Sequence, residues 1–322
     1  MLNRATKIAA YAIVGCCLMT SSLATTAEVY PAKPIRLILG YPAGGGMDAL
    51  ARIVGDNLSA TLGTPVVVEN RPGATGTIAA NFVAQAAPDG YTLLFGETGL
   101  LLSPLLFSEL PFNFSKSFVP ISNVATLPLA FTVTTSFPAK TTKEFIAALR
   151  ASPGRYSYGT AGVGTVHHIA FEQFKRATGV EAVHVPYKGG ATFVPDLITG
   201  RIEIGVLSSS VVAPLANAGS ARIIAVTSSE RPSNLSNVES VRETIPGFDM
   251  APRTWLAAPG GTPNSIVEKI RIAVDKALSS KNVEDGFSKQ GAVAAPANSI
   301  PDLKGESASW IEIARSVGVK PQ

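Results

Sequence analysis

Residues 35–63, IRLILGYPAGGGMDALARIVGDNLSATLG, hold the pattern on which the architecture depends. An apolar run at 35–39 predicts a buried strand, a glycine-rich turn follows it, and the segment from 48 to 62 predicts a helix that ends at Gly63. Further segments alternate in the same way, with a strand at 66–69, a helix at 78–86 and a strand at 91–95. This β-α-β-α-β order predicts a parallel sheet with helices on its faces.

A second series of alternating segments starts near residue 130. Strands are predicted at 130–133, 156–158, 182–185, 202–206, 223–226 and 254–258, and helices at 141–150, 166–178, 191–199, 264–280 and 299–316. Two such series in a chain of 322 residues favour two domains over one. The predicted fold class is therefore α/β with two lobes, each a mixed or parallel sheet flanked by helices.

The chain is predicted to cross twice between the lobes. We place the crossings near residues 126–128 and 247–253, so that the first lobe comprises 28–127 together with 252–322 and the second comprises 128–251. Two crossing segments make a hinge, and closure about a hinge is a common way to enclose a ligand.

The first 27 residues have the pattern of a secretory signal peptide. Arg4 and Lys7 provide the positively charged start, and residues 8–18 form the apolar stretch. Residues 24–27 form the run of small residues at which a signal peptide is cleaved. The apolar stretch is shorter than the roughly 20 residues that a membrane-spanning helix needs. We therefore expect a protein that is exported to the periplasm.

Both cysteines of the chain, Cys16 and Cys17, lie inside this leader. The mature chain would then have neither a disulfide nor a thiol nucleophile. Residues 13–16 also resemble a lipoprotein box, so a lipid on Cys16 stays open as an alternative. The formal net charge of the whole chain is only +4, and no basic run with interleaved aromatic residues occurs. We therefore do not expect nucleic acid as a partner.

Two glycine-rich turns, at 39–48 and 158–165, each follow a strand-like run and open a predicted helix. Glycines let backbone N–H groups crowd around a guest, and a helix N-terminus favours negative charge. Neither turn has the motif of a dinucleotide site or of a phosphate-binding loop, and no Gly-x-Ser-x-Gly nucleophile elbow occurs. The two turns together predict a pair of loops that close on one small anion.

Seven stretches along the mature chain carry a resemblance to a known family. They are YPAKPIR (30–36), GGGMD (44–48), VVVENRPG (66–73), APDGYTLL (87–94), HVPYKGGA (184–191), AVTS (225–228) and APGGTP (258–263). Each is weak alone, but together and in this order they are highly specific. In them the chain resembles the Bug family, the extracytoplasmic solute-binding receptors of tripartite tricarboxylate transporters.

The resemblance implies a two-lobed periplasmic binding protein of the type II class that closes over a small organic carboxylate. In that family, one loop from each lobe grips the carboxylate through backbone amides and ordered waters, and the receptor delivers its ligand to membrane permease subunits. We expect a monomer, with no enzyme activity and no cofactor. We expect no metal either, although His168 and Glu172 have metal-ligand spacing. A receptor that reports to a membrane sensor kinase is the alternative, and an exported α/β enzyme is a more distant one.

The family's two loops map onto the two glycine-rich turns of this chain. Predicted ligand contacts in the first are Tyr41, Ala43, Gly44, Gly45, Gly46, Met47 and Asp48, and in the second Gly159, Thr160, Ala161, Gly162, Gly164, Thr165 and His168. Asp48 is also a predicted helix cap, and we expect His167 to lie at the periphery. A further turn before a helix adds Tyr187, Gly189 and Gly190 to the predicted contacts.

Two positions depart from the family pattern. After the strand at 202–206 many relatives carry an Asp-Asn pair, whereas here the run is LSSS (207–210) and Ser208 is the predicted contact. The missing acid makes an amino-acid ligand less attractive. Before Trp255, relatives often have small residues, whereas this chain has Arg253. Because a guanidinium pairs with carboxylates through two hydrogen bonds, we expect Arg253 to hold a second carboxylate.

Overall fold

The computed structural model describes residues 30–319, so the predicted leader and its Cys16 lie outside the described residues. The strands in chain order are β1 (Ile35–Leu39), β2 (Val66–Asn70), β3 (Thr92–Glu97), β4 (Phe118–Thr126), β5 (Leu129–Val133), β6 (Ser157–Thr160), β7 (Val183–Pro186), β8 (Ile204–Ser208), β9 (Arg222–Val226), β10 (Arg253–Pro259) and β11 (Val293–Ala294). The helices are α1 (Gly46–Leu62), α2 (Thr77–Ala84), α3 (Thr98–Leu101), α4 (Ser103–Leu106), α5 (Phe114–Ser117), α6 (Thr142–Ala151), α7 (Val166–Thr178), α8 (Val194–Thr199), α9 (Ser209–Asn217), α10 (Asn264–Leu278), α11 (Lys281–Lys289) and α12 (Leu303–Ser316).

The first sheet contains six strands in the order β11-β4-β10-β3-β1-β2. Its strands β2, β1 and β3 are parallel, as the alternating pattern predicts. Strand β10 then runs antiparallel between β3 and β4. Gly96 of β3 pairs with Trp255 of β10, where a Cβ on Gly96 would collide with the indole ring. The glycine thus leaves the space in which the fully buried Trp255 packs at the centre of this sheet.

The second sheet contains five strands in the order β7-β6-β8-β5-β9. Strands β7, β6 and β8 are parallel, and β5 is antiparallel to both of its neighbours. The chain passes from the first sheet to the second between Thr126 and Leu129, and it returns between Val226 and Arg253. The predicted crossings near 126–128 and 247–253 fall within these two passages, of which the second is much longer than predicted. The fold has the expected mixed sheets flanked by helices. The exact lobe boundaries remain a prediction.

Most predicted elements are present with ends shifted by a few residues, and α7 has the bounds that the sequence predicts. Some differ in kind. The predicted helix at 191–199 is a 3₁₀ turn followed by the short helix α8. The predicted helix at 299–316 begins only at Leu303, because Asp302 caps it by accepting a hydrogen bond from the Gly305 N–H at 3.0 Å. Strand β4 and helices α9 and α11 were not predicted.

The last helix, α12, contacts elements of both sheets. Its Trp310 and Ala314 belong to the core that surrounds Phe131 of the second sheet. On its other side, the Ser307 hydroxyl donates a hydrogen bond of 2.6 Å to the carbonyl of Leu101, which follows β3. We predicted that the C-terminal helices return to the first lobe, and α12 does so while also packing on the second. None of the helices between residues 30 and 319 has both the length and the apolar character needed to cross a membrane.

Candidate functional site

Two adjoining cavities of about 350 Å³ each lie between the loops of the two sheets. They share four lining residues, Tyr41, Glu97, Val166 and His167. We call them the Leu106 cavity and the Gln290 cavity. The Leu106 cavity is also lined by Thr75, Gly99, Leu102, Leu106, Phe107, Ala161, Val163, Gly164 and Thr165. The Gln290 cavity is also lined by Gly46, Met47, Leu50, Leu127, Leu129, Ser208, Ser210, Val211, Pro252 and Gln290.

The N-terminus of α1 faces the Gln290 cavity. Gly46 and Met47, the first two residues of this 17-residue helix, both line it. The first turn of a helix leaves backbone N–H groups without intrahelical acceptors, and the helix dipole adds a partial positive charge there. Together with Tyr41, these two residues are the part of the first predicted loop that reaches the cavities.

Asp48 fixes the shape of the first turn and lines neither cavity. The N-cap is Gly45, so the interpretation of Asp48 as the cap is wrong. Asp48 is the third residue of α1, and its Oδ2 accepts a hydrogen bond from the Gly44 N–H at 3.0 Å and from Arg52 Nε at 2.9 Å. Its Oδ1 accepts from Asn70 at 2.9 Å. These bonds, above all that of Arg52, lower the pKa of Asp48 to about 2 although the side chain is buried.

The N-terminus of α7 faces both cavities through Val166 and His167, its first two residues. The expectation that His167 lies at the periphery is therefore wrong. Its Nδ1 is buried and has no hydrogen-bond partner within residues 30–319. Burial lowers the pKa of His167 to about 4, so the ring is neutral near pH 7. A neutral imidazole carries one N–H group, which can donate a hydrogen bond to a ligand oxygen.

His168 turns away from the cavities. Successive residues of a helix are rotated by about 100°, so when His167 faces the cavity its neighbour faces the protein interior. The Gly164 N–H donates to His168 Nδ1 at 3.2 Å, and the ring stacks on that of His184 with centroids 4.1 Å apart. Thr165 caps α7, since its Oγ1 accepts from the His168 N–H at 3.4 Å. His168 thus shapes the second loop without lining the site.

A third helix N-terminus faces the Gln290 cavity. Ser208 is the N-cap of α9, and Ser210 is the second residue of that helix. Both line the cavity, together with Val211. Sequence analysis placed Ser208 among the contacts but missed the helix behind it. A run of three small residues after a strand, LSSS at 207–210, is the signal that was available, since serine favours N-caps.

Glu97 is a functional candidate that sequence analysis missed. It ends β3, is buried, and lines both cavities. The Tyr41 hydroxyl donates a hydrogen bond to its Oε1. Burial raises the pKa of this carboxyl. Burial, followed by the nearby Glu97 carboxyl, also raises the pKa of the Tyr41 hydroxyl.

Several predicted contacts line neither cavity. The Tyr187 hydroxyl instead donates to Asp196 Oδ2 at 2.8 Å, and the Thr160 hydroxyl lies 2.7 Å from His184 Nε2. The Arg253 guanidinium pairs with Asp249 Oδ2 at 2.6 Å, and its role as the partner of a second carboxylate stays a prediction. The predicted contacts outside both cavities are Ala43, Gly44, Gly45, Asp48, Gly159, Thr160, Gly162, His168, Tyr187, Gly189, Gly190 and Arg253.

The described residues contain no cluster of three or more histidine, cysteine, aspartate or glutamate side chains placed to hold a metal ion. His168 and Glu172, the pair with metal-ligand spacing, have other partners. Glu172 accepts hydrogen bonds from the Tyr158 hydroxyl and from Lys175 Nζ, the latter at 2.8 Å. His168 is occupied by Gly164 and by its stacking on His184.

Comparison with known proteins identifies the family. Residues 50–300 match the sequence model described as tripartite tricarboxylate transporter family receptor. The chain belongs to this family. It is 31% identical over 317 residues to Protein BugT of Bordetella pertussis, a match that covers 96% of this chain and 97% of BugT. The resemblance to the Bug family is thereby confirmed.

Two solved structures of this receptor family extend the comparison from the sequence to the fold. Rpa4515 of R. palustris, solved with adipate, is 32% identical with a TM-score of 0.75, covering 91% of this chain and 100% of that one. MatC of Rhodopseudomonas palustris, solved with bound malate, is 28% identical with a TM-score of 0.68, covering 88% and 100%. The chain therefore has the two-lobed fold of the periplasmic binding proteins of this family.

Proposed function

We propose that this chain is an extracytoplasmic solute-binding receptor that captures a small organic carboxylate in the Gln290 cavity. The observation that carries the proposal is the convergence of three helix N-termini on one cavity. They are contributed by Gly46 and Met47 of α1, by Val166 and His167 of α7, and by Ser208 and Ser210 around the start of α9.

Such an arrangement suits an anion without any lysine or arginine. Each N-terminus offers unpaired backbone N–H groups and the positive end of a helix dipole. The neutral ring of His167 lines the same cavity, and its ring N–H can donate to a carboxylate oxygen. Adipate and malate, with which two relatives were solved, are carboxylates as well.

Closure of the lobes would couple capture to a change of conformation. The α1 N-terminus belongs to the first sheet, whereas those of α7 and α9 follow strands of the second, so the donors converge only when the lobes are together. A ligand stabilises the closed form only through contacts that the open form lacks. The two crossing segments meet where the Leu127 N–H donates to the Pro252 carbonyl at 2.7 Å, and both residues line the Gln290 cavity. We propose this pair as the hinge.

The proposal includes export to the periplasm, delivery to the permease subunits of a tripartite tricarboxylate transporter, and no catalysis. The leader sequence and the family support it. Fractionation of cells that express the whole chain, with N-terminal sequencing of the mature protein, tests the export. A mature N-terminus at residue 28 in the periplasm is expected, and a product that retains the leader in the cytoplasm would count against it.

Binding is tested by titration calorimetry with a library of small carboxylic acids and their uncharged amides. We expect at least one acid to bind, and its amide to bind roughly 100-fold more weakly because the helix N-termini lose their anion. Ser210→Glu should abolish binding, since its carboxylate would occupy the site while a negative charge at a helix N-terminus keeps α9 stable. Ser233→Glu is the matched control, an exposed serine that starts a 3₁₀ helix outside both cavities. Amides that bind as tightly as their acids would contradict the proposal.

A further inference from the structure

Glu97 is a buried carboxyl at the junction of the two cavities. Only 8% of the residue is exposed, and it lines both cavities. The Tyr41 hydroxyl and the Gly99 backbone N–H both donate hydrogen bonds to it. The absence of a Cβ at Gly99 leaves the space that Glu97 Oε1 occupies. The carboxyl is therefore held in place by its own neighbours and is a fixed feature of the site.

No basic side chain offsets this carboxyl. Of the described residues that line either cavity, none is a lysine or an arginine. Arg253, itself a predicted contact, pairs with Asp249 at 2.6 Å, and Arg52, which follows the first glycine-rich turn, pairs with Asp48 at 2.9 Å. The positive potential of the site comes from the helix N-termini. All three face the Gln290 cavity, whereas only that of α7 also faces the Leu106 cavity.

The Leu106 cavity, which shares Glu97 with the Gln290 cavity, has four large apolar side chains in its walls. They belong to Leu102, Leu106, Phe107 and Val163. If the carboxylate of a ligand lies at the helix N-termini, a ligand body that extends past Glu97 contacts these apolar side chains. A second carboxylate there would lose its hydration beside a buried acid and would gain no cation in return. An aliphatic or aromatic body would instead gain from leaving water.

We propose that the ligand is a monocarboxylate with an apolar body, and that Glu97 is the residue that rejects a second carboxylate. The inference rests on the proposed function and narrows its ligand class. It would set this chain apart from the relatives solved with adipate and malate, which are both diacids.

The test compares acids that differ only at their far end. Hexanoate is paired with adipate, and benzoate with terephthalate, in calorimetric titrations of the mature wild-type chain at pH 7. In each pair that binds, we expect the monoacid to bind at least about tenfold more tightly. A diacid that binds as tightly as its monoacid would overturn this inference and leave the proposed function standing. If no acid of either kind bound at millimolar concentration, both would fail.

Glu97→Gln tests the residue itself, because the amide keeps the size of the side chain and still accepts the Tyr41 hydrogen bond. We expect its affinity for the diacids to rise roughly tenfold and its affinity for the monoacids to change by less than about threefold. Glu181→Gln, an exposed carboxyl outside both cavities, is the matched control and should leave both affinities unchanged. An unchanged ratio of diacid to monoacid affinity in Glu97→Gln would assign the selectivity to another residue.

Discussion

The two glycine-rich turns fold in the same way, but different side chains hold them. In each, a glycine with a left-handed backbone precedes the N-cap, Gly44 with φ of 82° and Gly164 with φ of 75°. In each, its N–H donates to the side chain four residues later, to Asp48 at 3.0 Å and to His168 at 3.2 Å. The first acceptor is a carboxylate and the second is an imidazole. The same geometry can therefore be held by a charged group or by a neutral one.

The difference determines how each turn responds to acid. Asp48 accepts hydrogen bonds from Arg52 and Asn70 as well, and its pKa is about 2, so it stays ionised in all but strong acid. His168 can accept only while its Nδ1 is unprotonated, and it stacks on His184, whose pKa burial lowers to about 4. The second turn depends on histidines that are neutral in the fold. As the pH is lowered, we therefore expect the second turn to lose stability at a higher pH than the first.

The largest expected effect is a loss of stability on acidification from pH 7 to pH 4. His167 and His184 have pKa values of about 4 in the fold and an ordinary value of 6.5. The unfolded chain therefore takes up protons first, so stability is fully present above about 6.5 and is lost down to about 4. Each histidine contributes about 3 kcal/mol, so we expect a loss of about 6 kcal/mol over this range, measured by urea unfolding at several pH values.

A flat free energy of unfolding between pH 7 and pH 4.5 would contradict this account of the second turn. The His184→Gln variant sharpens the test, since it removes one of the titrating rings and should lessen the slope in this range. The contribution of Asp48 belongs to a lower range, because its folded pKa lies below the ordinary 3.8. That stability is present above 3.8 and is lost as the pH falls through about 2.

The second largest expected effect is the loss of stability when Asp48, the charged acceptor, is replaced. Asp48→Ala leaves the Gly44 N–H and Arg52 without their partner, and we expect the free energy of unfolding at pH 7 to fall by about 2 kcal/mol. Urea unfolding measures it. Asp56→Ala, an exposed carboxylate on the same helix, is the control and should change stability by less than about 0.5 kcal/mol. Equal effects of the two substitutions would show that the bonds to Asp48 contribute nothing.

The smallest expected effect is the loss of stability when His168, the neutral acceptor, is replaced. His168→Leu removes the hydrogen bond to the Gly164 N–H and should cost about 1 kcal/mol at pH 7. His168→Asn keeps an acceptor oxygen near the position of Nδ1, so it should recover part of that loss. Thermal unfolding of the two variants side by side measures the difference. If His168→Asn were no more stable than His168→Leu, the stacking on His184 would be the whole contribution of this residue.

Local pattern was sufficient for much of the fold. The apolar run at 35–39 forms β1, and residues 166–178 form α7 at the predicted bounds. Both could be predicted because the periodicity of a strand or a helix depends only on residues that are near one another in the sequence. Both glycine turns stand where they were predicted. Strand β4 was missed, since its polar and proline residues, as in FVPISNVAT, lack a clear alternation. Its place in the sheet comes from pairing with β10, which lies far away in sequence.

The site was predicted in outline but not in its individual residues. Residues of both predicted loops line the cavities, and their contact with a ligand stays a prediction. His167 and not His168 lines the cavities, because one residue of helix rotation separates the two faces. Arg253 was expected in the site, but Asp249 holds its guanidinium. Glu97 had no motif around it, and only the packing of β3 beside the first glycine turn brings it to the Tyr41 hydroxyl.

The sequence by itself determined the family, the alternating strands and helices, and the two turns that open α1 and α7. These follow from the order and spacing of residues that are near one another in the chain. Tertiary structure alone decided that the N-terminus of α9 joins the other two, and that a buried glutamate lies in the wall that the two cavities share. The physical reason is that helix dipoles, burial and the desolvation of a carboxyl depend on which surfaces meet in space.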